Sequence, residues 1–137
     1  MPKVFTSETQ KIGEVGENIA VKFLMKHGFN ILDRNYTKKW GEIDIVTEKD
    51  NKLYFIEVKS VNYLPAKALA SVDKTQDDYR PEDNMHPWKM KRLSRTIQTY
   101  ILSKKLDHRE WQVDLLLVFL DLKNKNARVK VVKDIIL

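Results

Sequence analysis

The sequence predicts an α/β protein, an α-β-β-β-α-β-β order folded as a sandwich around one mixed sheet. Three observations predict it. Two long segments carry apolar residues at helical spacing. Five shorter apolar or alternating segments are bounded by turn residues. The chain has 137 residues, 42% hydrophobic and 32% charged, which suits a single domain over 1–137 with a real core.

Residues 7–27 read as the first helix, with Ile12, Val15, Ile19, Ala20 and Phe23 recurring on one side. Lys26-His27-Gly28 is a helix stop, positive side chains before a glycine. Residues 29–36 read as a strand, Lys38-Lys39-Trp40-Gly41 as a turn, and 42–48 as a second strand. Lys49-Asp50-Asn51 is a tight hairpin connection into a third strand over 52–61. These three strands form an antiparallel meander. Residues 62–87 are polar and hold Pro65, Pro81 and Pro87, so they read as an irregular loop with a short helix near 66–70. Loops of that length are usually functional or mobile. Residues 88–105 read as the second long helix, with Met90, Leu93, Ile97, Tyr100 and Ile101 inward. Residues 111–120 and 127–132 are two further strands joined by the turn 121–126.

Composition excludes several classes. The absence of cysteine removes disulfides and thiolate metal sites. His27, His86 and His108 are too scattered for a zinc site. No phosphate-cradling glycine loop is present. No stretch has the length of a membrane span, and the start lacks a signal-peptide layout, so a cytoplasmic protein without a membrane partner is expected. The net charge is +6. From His86 to Arg109 there are seven basic side chains against Asp107 alone, so that segment carries as much net charge as the whole chain. Such a concentration favours an anionic partner.

The chemistry-bearing anomaly is Glu57-Val58-Lys59, near the end of the apolar strand Leu53-Tyr54-Phe55-Ile56. Alternation places Leu53, Phe55, Glu57 and Lys59 on one face and Tyr54, Ile56 and Val58 on the other. Both faces look buried, and a buried charge demands a partner or a metal. Asp44 lies thirteen residues upstream in Glu42-Ile43-Asp44-Ile45-Val46. There Ile43 and Ile45 are expected to face one way, with Glu42, Asp44 and Val46 facing the other. Symmetric pairing about the hairpin turn brings Asp44 within two or three residues of opposite Glu57. Two carboxylates with waters and phosphate oxygens suit Mg²⁺ or Mn²⁺. Lys59 is then placed to hold or deprotonate a water and to stabilise charge on phosphorus. The competing reading is a same-face Glu57–Lys59 ion pair.

On the first helix Glu17 lies about 120° from the apolar axis, at the boundary of the buried face, and Glu14 points outward. Glu17 therefore either reaches the sheet edge and a metal, directly or through water, or is solvated. Gly13 and Gly16 beside it indicate a close approach or a late helix start. On the second helix Lys91, Arg92 and Arg95 form an outward stripe fit for phosphates, with Lys89 nearer the inner face. Trp40, between Lys38-Lys39 and Gly41, is either a base-stacking residue or a packing anchor. Asp114, opening an apolar strand, reads as a structural hydrogen-bond acceptor.

The segments Gly13-Glu14-Val15-Gly16-Glu17-Asn18-Ile19-Ala20, Arg34-Asn35-Tyr36, Gly41-Glu42-Ile43-Asp44-Ile45-Val46 and Phe55-Ile56-Glu57-Val58-Lys59 resemble the YraN-like family. That family is grouped with the PD-(D/E)XK nucleases, alongside archaeal Holliday junction resolvases and restriction enzymes. The resemblance implies a restriction-endonuclease-like fold. It implies metal ligation by Asp44 and Glu57 with the Val58 carbonyl a third ligand, a catalytic Lys59, and Glu17 as an accessory acid of the resolvase kind. Ile43 stands where the motif's proline would be, and residues 62–87 exceed the length expected of the family. The expected function is Mg²⁺- or Mn²⁺-dependent endonucleolytic hydrolysis of DNA, structure-selective on branched or single-stranded substrates. Lys38, Lys39, Trp40, Lys89, Lys91, Arg92 and Arg95 are then the nucleic-acid contacts. A nucleic-acid-binding module with a vestigial site is the alternative, and a homodimer through the end of the sheet is a further expectation.

Overall fold

The computed structural model describes residues 8–62, 86–135 and 137. The short helix expected near 66–70, and nearly all of the expected loop, lie outside these residues. The described elements are α1 (Glu8–Lys26), β1 (Asn30–Lys38), β2 (Gly41–Lys49), β3 (Lys52–Asn62), α2 (Pro87–Ser103), β4 (Trp111–Asp121) and β5 (Asn126–Val132). The strands form one sheet in the order β1-β2-β3-β4-β5. Pairing is antiparallel except between β3 and β4, which run parallel with α2 in the crossover. The sheet is therefore mixed, as the order of elements predicted.

Two apolar clusters fill the sandwich. Ala20 and Leu24 of α1 pack with Ile45, Ile56, Leu116, Val118 and Leu120. Leu93, Ile97, Tyr100 and Ile101 of α2 pack with Ile43, Val46, Leu53, Phe55 and Val113. The inward stripe of α1 differs from expectation at one residue. Val15 is 41% exposed, while Gly16 is buried in its place. The cause is a close approach: a Cβ on Gly16 would overlap the Ser60 hydroxyl of β3. The helix leans onto β3 at this point, which turns Val15 outward.

The second helix is tied to the β1–β2 turn in a similar way. A Cβ on Gly41 would lie 3.0 Å from the Arg92 carbonyl, and Arg92 Nε donates to the Trp40 carbonyl at 2.8 Å. The Tyr100 hydroxyl donates to Asp33 Oδ2 at 2.7 Å. Burial, then that acidic partner, hold the phenol above its ordinary pKa. Asp114 is the structural acceptor expected of it. Its Oδ1 takes the Gln112 side-chain amide at 2.7 Å and the Asp134 main-chain N–H at 2.9 Å.

Candidate functional site

The site is built where the β2–β3 hairpin stops being regular. Its ladder runs from Lys49↔Lys52 to Ile45↔Ile56. One more step in that register sets Asp44 directly across from Glu57, closer than the two-to-three-residue offset the turn alone implied. The ladder ends there instead, and the Val58 N–H donates to Asp44 Oδ2 at 2.8 Å. A side-chain carboxylate thus accepts a bond that the neighbouring strand's main chain would otherwise take. On the other flank the β1–β2 register sets Asn35 opposite Asp44, and Asn35 has φ +53°. Asparagine tolerates this left-handed conformation better than most residues. Both neighbours of β2 are therefore irregular at Asp44.

This corrects one expectation about faces. Ile43 does not share a face with Ile45. It packs with Val46 in the α2 cluster, while Ile45 packs with α1. Strict alternation fails across Asp44 because the strand has lost its β3 ladder there. A second correction concerns β3. Leu53, Phe55, Ile56 and Glu57 are buried, but Lys59 is exposed, so the strand is not buried to its end. It runs out into an open cleft of about 1180 Å³, lined by Asp44, Glu57, Val58 and Lys59 at its floor and side.

Glu57 is 7% exposed, and its Oε1 has no hydrogen-bond partner among the described residues. Burial, then the charge of Asp44, push its carboxyl well above the usual range; Lys89 and the Asp44 main-chain N–H oppose this. Asp44 is raised from 3.8 to about 6, chiefly by burial, against the hydrogen bond from Val58. Glu17 and Glu42 raise it further, while Lys89 lowers it. Two carboxylates sit together at the poorly solvated base of the cleft, and such a pair resists full ionisation unless a cation joins it.

The walls come from both helices and β1. Glu14, Glu17 and Asn18 line the α1 side. Arg34 of β1 reaches Glu17 Oε1 at 3.2 Å and Asn18 Oδ1 at 2.9 Å. Glu17 thus does come to the cleft, but in an ion pair. Among the described residues no group of three or more His, Asp or Glu side chains is gathered as a metal cage. Asp44 and Glu57 stand as a pair, not a triad.

The basic residues of α2 divide. Lys89 and Arg92 line the cleft. Lys91 and Arg95 instead border a separate depression with Pro87, Met90, Ser94 and Leu137. Lys38 lies 5.2 Å over the Tyr36 ring, and exposed Lys39 stands in the turn; neither lines the cleft. Trp40 is partly buried, with its indole N–H enclosed and the Arg95 guanidinium 4.2 Å from its ring centroid. It serves as a packing anchor for α2.

Sequence reasoning assigned no role to Trp88, Arg34, Asn18 or Ser60, all of which line the cleft. The signal for Trp88 was an indole one helical turn before Arg92 and directly beside Lys89. Nothing local marks Ser60, whose hydroxyl is buried under Gly16 without a partner among the described residues.

Fold and cleft together define a class of small α/β-sandwich protein whose central hairpin parts around one buried and one half-buried carboxylate. The comparisons narrow that class to one family. Residues 16–132 match the uncharacterised protein family UPF0102, and the chain belongs to it. A UPF0102 protein of Campylobacter hominis is 39% identical over 106 residues, covering 77% of this chain and 81% of its own length. Relatives in Campylobacter jejuni and Campylobacter fetus are 38% and 35% identical over the same span and coverage. Among solved structures, SfsA of Pyrococcus furiosus in complex with Ca²⁺ has a TM-score of 0.35 and 12% identity, covering 98% of this chain and 74% of its own.

Proposed function

We propose that this protein is a divalent-metal-dependent endodeoxyribonuclease of the PD-(D/E)XK kind, acting in the cytoplasm on branched or single-stranded DNA. The observation that carries this reading is the Asp44–Glu57 pair. Both groups are raised by burial, and one buried Glu57 oxygen has no partner among the described residues. Such a pair fits Mg²⁺ or Mn²⁺, which take hard oxygen ligands and retain several waters. Asp44, Glu57 and the Val58 carbonyl would hold the ion, with Glu17 acting through water. A bound ion of this type lowers the pKa of its water and neutralises charge developing on phosphorus.

The remaining work falls to this chain's own residues. Lys59, on the cleft wall, orients the attacking water and stabilises the phosphate oxygens. Lys89 and Arg92 draw the phosphodiester into the cleft and fix its register without reading sequence. Burial of the floor excludes bulk water and strengthens each of these interactions. Attack at phosphorus leaves 5′-phosphate and 3′-hydroxyl ends.

One observation favours the binding-only alternative: Glu17 is already engaged by Arg34. The two readings separate with purified protein, Mn²⁺ and a panel of linear, forked, four-way and single-stranded DNAs. Lys59→Ala is expected to lose cutting by about a thousandfold, since charge stabilisation at the transition state supplies several kcal/mol. Binding should persist. Undiminished cutting by that variant rejects the assignment, and salt-sensitive binding with no cutting by the wild type favours the module.

A further inference from the structure

We infer that Trp88 is a stacking platform for an unpaired base, and that the cleft accepts a single strand in preference to an intact duplex. This rests on the nuclease reading and names its substrate class.

Trp88 is 58% exposed and lines the same cleft as Asp44, Glu57 and Lys59. A large indole left this open, at the lip of a charged cleft, is positioned for a flat partner. Its neighbours suit a nucleotide. Lys89 and Arg92 line the cleft beside it. The Arg92 guanidinium lies 5.5 Å from the Trp88 ring centroid, and its Nε is tethered to the Trp40 carbonyl at 2.8 Å. A tethered guanidinium is a pre-oriented phosphate ligand next to a base-sized surface. Trp40 does not compete for this role, because it is partly buried with Arg95 4.2 Å from its ring centroid, whereas Trp88 stays largely exposed even with Arg92 beside it and the His86 ring stacked at 6.4 Å.

The opposite wall points the same way. Gly13 of α1 lines the cleft, and among the described residues a Cβ there would meet nothing within 4 Å. Packing against the described residues does not demand this glycine, although glycine within a helix costs about 1 kcal/mol relative to alanine. Space over Gly13 leaves room for an incoming backbone. The floor lies between α1 and α2, with Glu57 only 7% exposed. A scissile phosphate must descend between two helices to reach it. A single strand, whose bases are free to splay onto the rim, reaches such a floor more readily than a stiff duplex.

The test measures binding without chemistry. In EDTA, the full chain is titrated into a fluorescein-labelled single strand and into the same sequence as a blunt duplex, by anisotropy. Trp88→Ala should weaken single-strand binding roughly tenfold or more, the usual worth of one stacked base, and leave duplex binding within about twofold. Trp88→Phe should recover most of the loss, and 2-aminopurine in the strand should be quenched by wild type and not by Trp88→Ala. An equal loss on both substrates, no loss on either, or no binding by the wild type overturns the inference. Trp88-dependent binding by a wild type that fails to cut in Mn²⁺ upholds this inference while sinking the hydrolase assignment.

Discussion

The two halves of the β2–β3 hairpin are made from the same strands and do opposite things. From Lys49↔Lys52 to Ile45↔Ile56 the ladder is continuous, and its core side chains are closed off by α1 and α2. Even its buried Thr47 is satisfied, donating to the Tyr54 carbonyl at 3.1 Å. Beyond Ile45 the ladder stops, a carboxylate accepts a main-chain bond, and Glu57 keeps a buried oxygen without a partner among the described residues. One half supplies stability. The other spends part of it to hold two acids where folding alone would not place them.

Substitutions at the two ends should therefore move stability in opposite directions. The largest effect is expected in the closed half. Phe55 is fully buried, with edge-on contacts to Tyr100 and Trp111 at 5.8 and 5.6 Å between centroids. Phe55→Ala should lose about 3–5 kcal/mol in urea or guanidinium unfolding, the usual result of emptying a core site.

At the open end Asp44→Asn should raise metal-free stability by about 1–3 kcal/mol, because it relieves repulsion yet leaves an oxygen to accept from Val58. The same variant should cut no DNA. The wild type should show a matching pH dependence. Its folded state keeps a proton on Asp44 up to about 6, whereas the unfolded carboxyl releases it near 3.8. Metal-free stability therefore falls as pH rises through that window, with Glu57 extending the decline upward. Thermal unfolding between those two pH values checks the sign; a metal-free protein that grows more stable across the window would contradict the raised carboxyls. Added Mn²⁺ should restore stability at neutral pH.

The smallest effect tests how the helix is seated over the open end. Gly16→Ala gains helix propensity but drives a Cβ into the Ser60 hydroxyl. A net loss of about 1–2 kcal/mol is expected, as overpacking outweighs propensity. A stabilised variant would show that α1 can lift away at no cost.

Much of this hairpin was readable in advance. The turn at Asp50-Asn51, both with positive φ, and the apolar strands around it fix the register that brings Asp44 toward Glu57. The order of elements followed from periodicity at Ile19, Ala20, Leu93 and Ile97. What escaped reading depends on non-local geometry. The switch of Ile43 to the α2 side requires knowing where two strands part, and the turning out of Val15 requires knowing how closely α1 meets Ser60. Of the basic stripe, the sequence shows that Lys89, Lys91, Arg92 and Arg95 share a helix. It does not show that the helix is tilted so that two serve the cleft and two border a separate depression. Trp88 went unassigned because an exposed indole carries meaning only once its neighbours in space are known.

Another consequence concerns the strand beside Glu57. Asp114 draws a donor from residue 134, and the Ile135 N–H donates to the Val113 carbonyl at 2.7 Å. The last described stretch is thus stitched back onto a central strand. Shortened recombinant versions ending before Asp134 would strip a donor from a carboxylate only 4% exposed. Any fusion joint is better placed beyond Ile135 than before Asp134, so that both main-chain donors stay in position.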